Sequence, residues 1–117
     1  MPKFMYIFRG GGYASPGSLS PTELQAHLAK WNAWTNALAA AGLEPDGRPL
    51  EHGGKTLRGS DRIVTDGPYA ESKDLVSGTL VVQTASLEQA AQFARDCPIF
   101  EFDGSVEVRP LLPGPEK

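Results

Sequence analysis

A chain of 117 residues is one domain, long enough to bury a core without disulfide or metal staples. Apolar residues make up 40% and charged residues 21%, the balance of an ordinary globular protein. The net charge of −3, with eleven basic residues scattered and forming no patch, argues against a nucleic-acid partner. The single cysteine, Cys97, excludes an internal disulfide and suits a reducing cytoplasm. The apolar run at the N-terminus is too short for a signal peptide, and no segment approaches the ~20 apolar residues of a membrane span, so no membrane partner is expected.

Phe4 to Arg9 reads as a strand. Phe4, Tyr6 and Phe8 alternate onto one face, Met5 and Ile7 onto the other. Both faces are apolar, so the strand is expected to be central and covered on both sides. Gly10-Gly11-Gly12 opens a loop to Ser18; no GK[ST] follows, so this is a flexible loop and not a phosphate cradle. Ser20, Pro21 and Glu23 spell a capping box with proline at the first helical position. Leu24, Leu28, Trp31, Leu38 and Ala41 recur at helical spacing, and Gly42 is a natural stop, giving a helix of about 21 residues. His27 falls at the flank of that stripe. It is either a partly exposed residue of the helix margin or a proton carrier facing a cleft. Trp31 and Trp34 are expected to be core or interface anchors.

Pro45, Gly47 and Pro49 restrict Glu44 to Leu50 to an irregular edge strand. His52-Gly53-Gly54 is a turn. Lys55 to Arg58 and Arg62 to Thr65 flank Gly59-Ser60-Asp61 as a hairpin. Asp66-Gly67-Pro68 ends it, with Gly67 expected at positive φ. Gly78 to Thr84 is a second strong strand, with Leu80 and Val82 on one face. Ser86 caps a second helix whose buried face is expected to be Leu87, Ala90, Ala91 and Ala94, and Asp96-Cys97-Pro98 ends it. Val106 and Val108 mark a last strand. Residues 110–117 form a Pro-rich tail, expected to be flexible.

The order strand, helix, strand, hairpin, strand, helix, strand is the α+β, ferredoxin-like split β-α-β arrangement with an inserted hairpin and an antiparallel sheet. Two helices cover one face of such a sheet. The apolar second face of the first strand needs another cover, and a second copy of the chain, in a symmetric homodimer, is the simplest.

The stretch Asp66-Gly67-Pro68-Tyr69-Ala70-Glu71-Ser72-Lys73-Asp74 resembles the DGPF(A)ETKE signature that names a branch of the YCII-related proteins. The flanks resemble that branch too, from the long helix ending in Ala-Gly to Cys97-Pro98 and Val106-Glu107-Val108-Arg109-Pro110. Tyr69, Ser72 and Asp74 replace Phe, Thr and Glu of the signature. The resemblance implies a dimeric α+β barrel over the single domain 1–117. It also implies a catalytic pair, a His on the first helix and an Asp near the end of the second. Asp96 matches that Asp. The His position holds Trp31, with His27 one turn earlier.

Asp66 is the leading candidate for chemistry, as a general base at a strand end beside a turn, with His27 as its catalytic partner. Arg9, Glu71 and Lys73 are candidate ligand-binding residues, Arg9 for an anionic group. The alternative is that Asp66 only ties the turn. Cys97 is expected to be a buried small hydrophobe. His27 and His52 make no metal-ligand spacing, so neither metal nor cofactor is expected. Two functions stay open: a small enzyme doing acid–base chemistry on a small organic molecule in a cleft near the dimer interface, or a non-catalytic ligand-binding or regulatory module.

Overall fold

A computed structural model describes residues 1–10, 19–51, 53–67 and 75–113. The elements run β1 (Lys3–Arg9), α1 (Pro21–Ala40), β2 (Asp46–Pro49), β3 (Lys55–Arg58), β4 (Ile63–Asp66), β5 (Val76–Gln83), α2 (Leu87–Ala94), a 3-10 helix (Pro98–Phe102) and β6 (Ser105–Pro110). The main sheet has the order β2-β5-β1-β6, and its pairings are antiparallel. This is the ferredoxin-like arrangement expected, with β1 and β5 central. β3 and β4 form a separate two-stranded sheet. Its Leu57, Ile63 and Val64 are exposed.

The strand alternation divides the sheet as the sequence implies. Phe4, Tyr6 and Phe8 are buried under the helices, opposite Val82, Leu80 and Gly78 of β5. Met5 and Ile7 lie opposite Val81 and Thr79 on the other face, and all four are half-buried. Burying a large aromatic side chain contributes about 1.5–3 kcal/mol, so the helix face carries most of the driving force.

Helix α1 begins as predicted. The Ser20 hydroxyl accepts from the Glu23 N–H, and the Glu23 carboxylate accepts from the Ser20 N–H. That satisfies two of the amide donors a helix start leaves open. Gly42, at φ 88°, ends it. The buried stripe differs from the expected one: it is His27, Trp34 and Leu38, with Trp31 half-buried, while Leu24 and Leu28 are exposed. The aromatic rings set the helix rotation. Trp34 packs on Tyr6 and Phe8 at centroid distances of 5.8 and 6.1 Å, and Trp31 meets Phe8 edge-on at 5.0 Å. That contact turns the leucines outward.

Ser86 caps α2 by accepting from the Gln89 N–H, while Gln89 Oε1 accepts from the Ala85 N–H. Ala90 and Ala94 are buried as expected, but Leu87 and Ala91 are exposed. Phe93 packs against the core in their place. The 3-10 helix that follows was not expected. Pro98 starts it, Cys97 Sγ accepts from the Ile99 N–H, and Asp103 ends it at φ 61°. At the C-terminal end Pro110 belongs to β6, and the Leu111 N–H donates to the Lys3 carbonyl, so the expected tail is pinned at its start. No helix among the described residues is long and apolar enough to cross a membrane.

Candidate functional site

The candidate residues fall in different places. Asp66 ends β4, its side chain is 89% exposed, and it pairs with Lys55 across the hairpin at 2.5 Å. Gly67 beside it has φ 95°, as the turn chemistry requires. Arg9 ends β1 and pairs with Glu107 of β6 at 2.5 Å. Asp66 and Arg9 are thus held on separate sheets by separate partners. Glu71, Lys73 and His52 lie outside the described residues.

His27 is neither at the margin of the helix nor in an open cleft: it is 2% exposed. Two neighbours hold its ring through its two nitrogens. Trp31, one turn along α1, donates its indole N–H to His27 Nε2 at 2.9 Å. An indole nitrogen is a donor only, so Nε2 must be the bare, accepting nitrogen. The ring proton therefore sits on Nδ1, where it is donated to Glu101 Oε1 at 2.7 Å. Phe102 closes the ring from the side at 4.7 Å between centroids. Glu101 also binds the Lys30 ammonium. Lys30, then His27, holds the Glu101 carboxyl below the usual carboxylate range.

A histidine oriented by a carboxylate is thus present, but the carboxylate is Glu101. Asp96, the position suggested by the resemblance, lies with Glu101, Lys30 and Cys97 along a shallow groove of about 620 Å³. The difference comes from the 3-10 helix, which carries Glu101 against α1. Its sequence signal is slight: a proline after Cys97 and a carboxylate inside Ile99-Phe100-Glu101-Phe102. Cys97 is buried as expected, and burial pushes its thiol up to about 12 against the weaker opposing pull of the Ile99 N–H.

Beside this pair, on the other side of Trp31, lies a cavity of about 340 Å³ between α1 and the β2–β5 edge of the main sheet. Phe8, Leu28, Trp31, Pro45, Pro49 and Leu80 give it a mainly apolar wall, and Asn32, Thr35 and Arg48 supply polar atoms. Gly47 and Gly78 also line it. Glycine is required at Gly47, where the strands approach closest, and the fit is tight at Gly78. A Cβ at Gly47 would overlap the Thr79 carbonyl oxygen and lie 2.8 Å from Leu80 Cα, and one at Gly78 would sit 3.1 Å from the Arg48 oxygen. Such a volume and lining suit a small organic molecule.

Comparison with known proteins adds three findings. Uncharacterized protein R00369 of Rhizobium meliloti (strain 1021) is 48% identical over 59 residues, a match spanning 48% of this chain and 48% of that protein. Among solved structures, 5-chloro-2-hydroxyhydroquinone dehydrochlorinase (TftG) from Burkholderia phenoliruptrix AC1100, in complex with 2,5-dihydroxybenzoquinone, aligns over 95% of both chains. Its identity is 21% and the TM-score 0.45. The model of the YCII-related domain matches residues 11–114, nearly the whole length, and the chain therefore belongs to the YCII-related domain family.

Proposed function

We propose that the protein is a small enzyme that moves a proton on a small organic molecule held between α1 and the sheet. One observation carries this reading: the buried His27 ring is oriented by Glu101 through Nδ1, the arrangement that leaves Nε2 as the basic nitrogen. A carboxylate so placed fixes the tautomer and stabilises the imidazolium formed when Nε2 takes a proton. The apolar cavity adjoining Trp31 supplies the binding volume. Asp66, exposed and paired with Lys55, serves the turn in this reading.

The likeness of residues 66–74 to the DGPF signature supports membership of the DGPF-type branch of the family. A second copy covers the open sheet face of Met5, Ile7, Thr79 and Val81. The lone thiol of Cys97 fits a reducing cytoplasm.

Hydrogen–deuterium exchange tests the function. Small carbonyl compounds and phenols are incubated with the protein in D₂O, and exchange at their acidic C–H positions is followed by proton NMR. Wild type should accelerate exchange of at least one compound by about 100-fold or more, the usual contribution of a placed base. His27→Gln should abolish it while binding persists. A binding module is the second reading, favoured by the Trp31 N–H that occupies Nε2. It predicts binding with no exchange in any variant, and that result would refute the enzyme.

A further inference from the structure

The face of the main sheet turned away from the helices carries an ordered layout of charge. Residues directly opposite each other in antiparallel strands share a face. One row across the strands therefore reads Asp46, Val81, Met5, Arg109 from β2 to β6. The next row reads Arg48, Thr79, Ile7, Glu107. Each row is uncharged over the two central strands and carries opposite charges at its ends. The order of the signs reverses from one row to the next. At the end of the face Lys3 lies opposite Gln83, whose amide donates to Glu44 at 2.7 Å. The four end charges are exposed, while Met5, Ile7, Thr79 and Val81 are half-buried. Among the described residues Asp46 and Arg48 have no ion-pair partner. Arg109 Nε stands 3.8 Å from Glu107, which Arg9 already holds at 2.5 Å.

Four half-buried side chains expose well under the about 800 Å² that a standard interface buries per partner, so a stable contact here includes the charged ends. Two packed sheets keep their strands within about 30° of each other, about 10 Å apart. A symmetric pair then has its two-fold axis either across the strands or along them. An axis across the strands sets each edge of the sheet on its own copy. It lays the β1–β6 half, with Lys3, Arg9 and Arg109 against the one carboxylate of Glu107, on another cationic half. An axis along the strands sets β2 over the partner's β6. Asp46 then faces the partner subunit's Arg109, Arg48 faces the partner subunit's Glu107, and the cationic half lies on the half that holds Glu44 and Asp46. Resting on the proposal that a second copy covers this face, we infer that Asp46, Arg48, Glu107 and Arg109 form a self-complementary charged frame that selects a second copy of this chain and seats β2 over its β6. Each pair joins a carboxylate to an arginine, whose long side chain crosses the gap between the sheets, and symmetry makes each pair twice. The apolar centre supplies the burial, and the frame supplies register and choice of partner.

The test mixes single charge reversals of the full chain, with Kd read by sedimentation equilibrium and the species by native mass spectrometry. Asp46→Arg and Arg109→Asp each put like charges into two pairs of their own homodimer, and each should weaken dimerisation about 10-fold or more. An equal mixture of the two should restore it as the heterodimer, where both pairs are again of opposite sign. Asp46→Arg mixed with Arg48→Asp should not. Wild-type Kd should rise with salt, as screened rim charges require. If circular dichroism shows that Arg109→Asp does not fold, Arg48→Glu mixed with Glu107→Arg makes the same test on the second row. A wild type that stays monomeric at micromolar concentration leaves the face to another occupant and overturns the covering copy together with the frame. A wild-type dimer that neither reversal weakens keeps the second copy and overturns the frame. Rescue of Asp46→Arg by Arg48→Asp, and not by Arg109→Asp, would set β2 on β2 and overturn the seating.

Discussion

Raising the pH should unfold this protein through two particular groups. Tyr6 is 0% exposed, and its hydroxyl donates to the Ala90 carbonyl at 2.6 Å. Burial, with a smaller contribution from nearby Cys97, pushes its ionisation up from 10.0 to about 12. Burial likewise raises Cys97 from 9.0 to about 12. Both folded values lie above the unfolded ones, so the stability each contributes is complete below the unfolded value and is lost as pH rises toward 12. At about pH 11 the unfolded chain gains about 3 kcal/mol from ionising Cys97 and about 1 kcal/mol from Tyr6. With an unfolding entropy near 2.1 cal/mol/K per residue, Tm should fall by about 15 °C between about pH 8 and pH 11. Thermal melts followed by circular dichroism measure this, with Tyr6→Phe and Cys97→Ala as the decisive comparisons. Each variant starts less stable at neutral pH, Tyr6→Phe by about 1 kcal/mol for the lost hydrogen bond. Each should then lose less on going alkaline, by about 5 °C for Tyr6→Phe and about 10 °C for Cys97→Ala. If both variants lose as much Tm as wild type over the same range, neither buried group drives the transition and the reasoning fails.

Gly67→Ala should cost about 1 kcal/mol, or about 4 °C in Tm. The added Cβ meets nothing within 4 Å among the described residues, so the penalty is backbone strain at φ 95°. Gly47→Ala should cost more, about 1–3 kcal/mol, because its Cβ would push β2 off the backbone of Thr79 and Leu80. Equal melting temperatures for Gly47→Ala and wild type would show that β2 yields freely. Ile7→Asp, on the open sheet face, should convert a dimer to a monomer at micromolar concentration by light scattering while the helix face keeps its fold. A wild-type monomer mass under the same conditions would remove the homodimer from the proposal.

The sequence by itself determined the order of elements and the two faces of the central strand. Alternation of Phe4, Tyr6 and Phe8 against Met5 and Ile7 is a local property of extended backbone, and the sheet preserves it. The Ser20–Glu23 capping box, the stops at Gly42 and Gly67, and the hairpin around Gly59 were equally legible, because each is settled by a few neighbouring residues. The rotation of α1 was not. The stripe through Leu24 and Leu28 satisfies helical spacing as well as the stripe through His27, Trp34 and Leu38, and only packing against Tyr6 and Phe8 selects between them. That choice sends His27 inward. The candidate site follows from the same choice. Glu101 stands 74 positions from His27, and a short helix that begins at a proline delivers it. Trp31 joins the histidine only because both lie one turn apart on the face that the core has drawn in. Periodicity places side chains on a helix, but long-range packing decides which face is inside, and the partner of a buried polar group is decided with it.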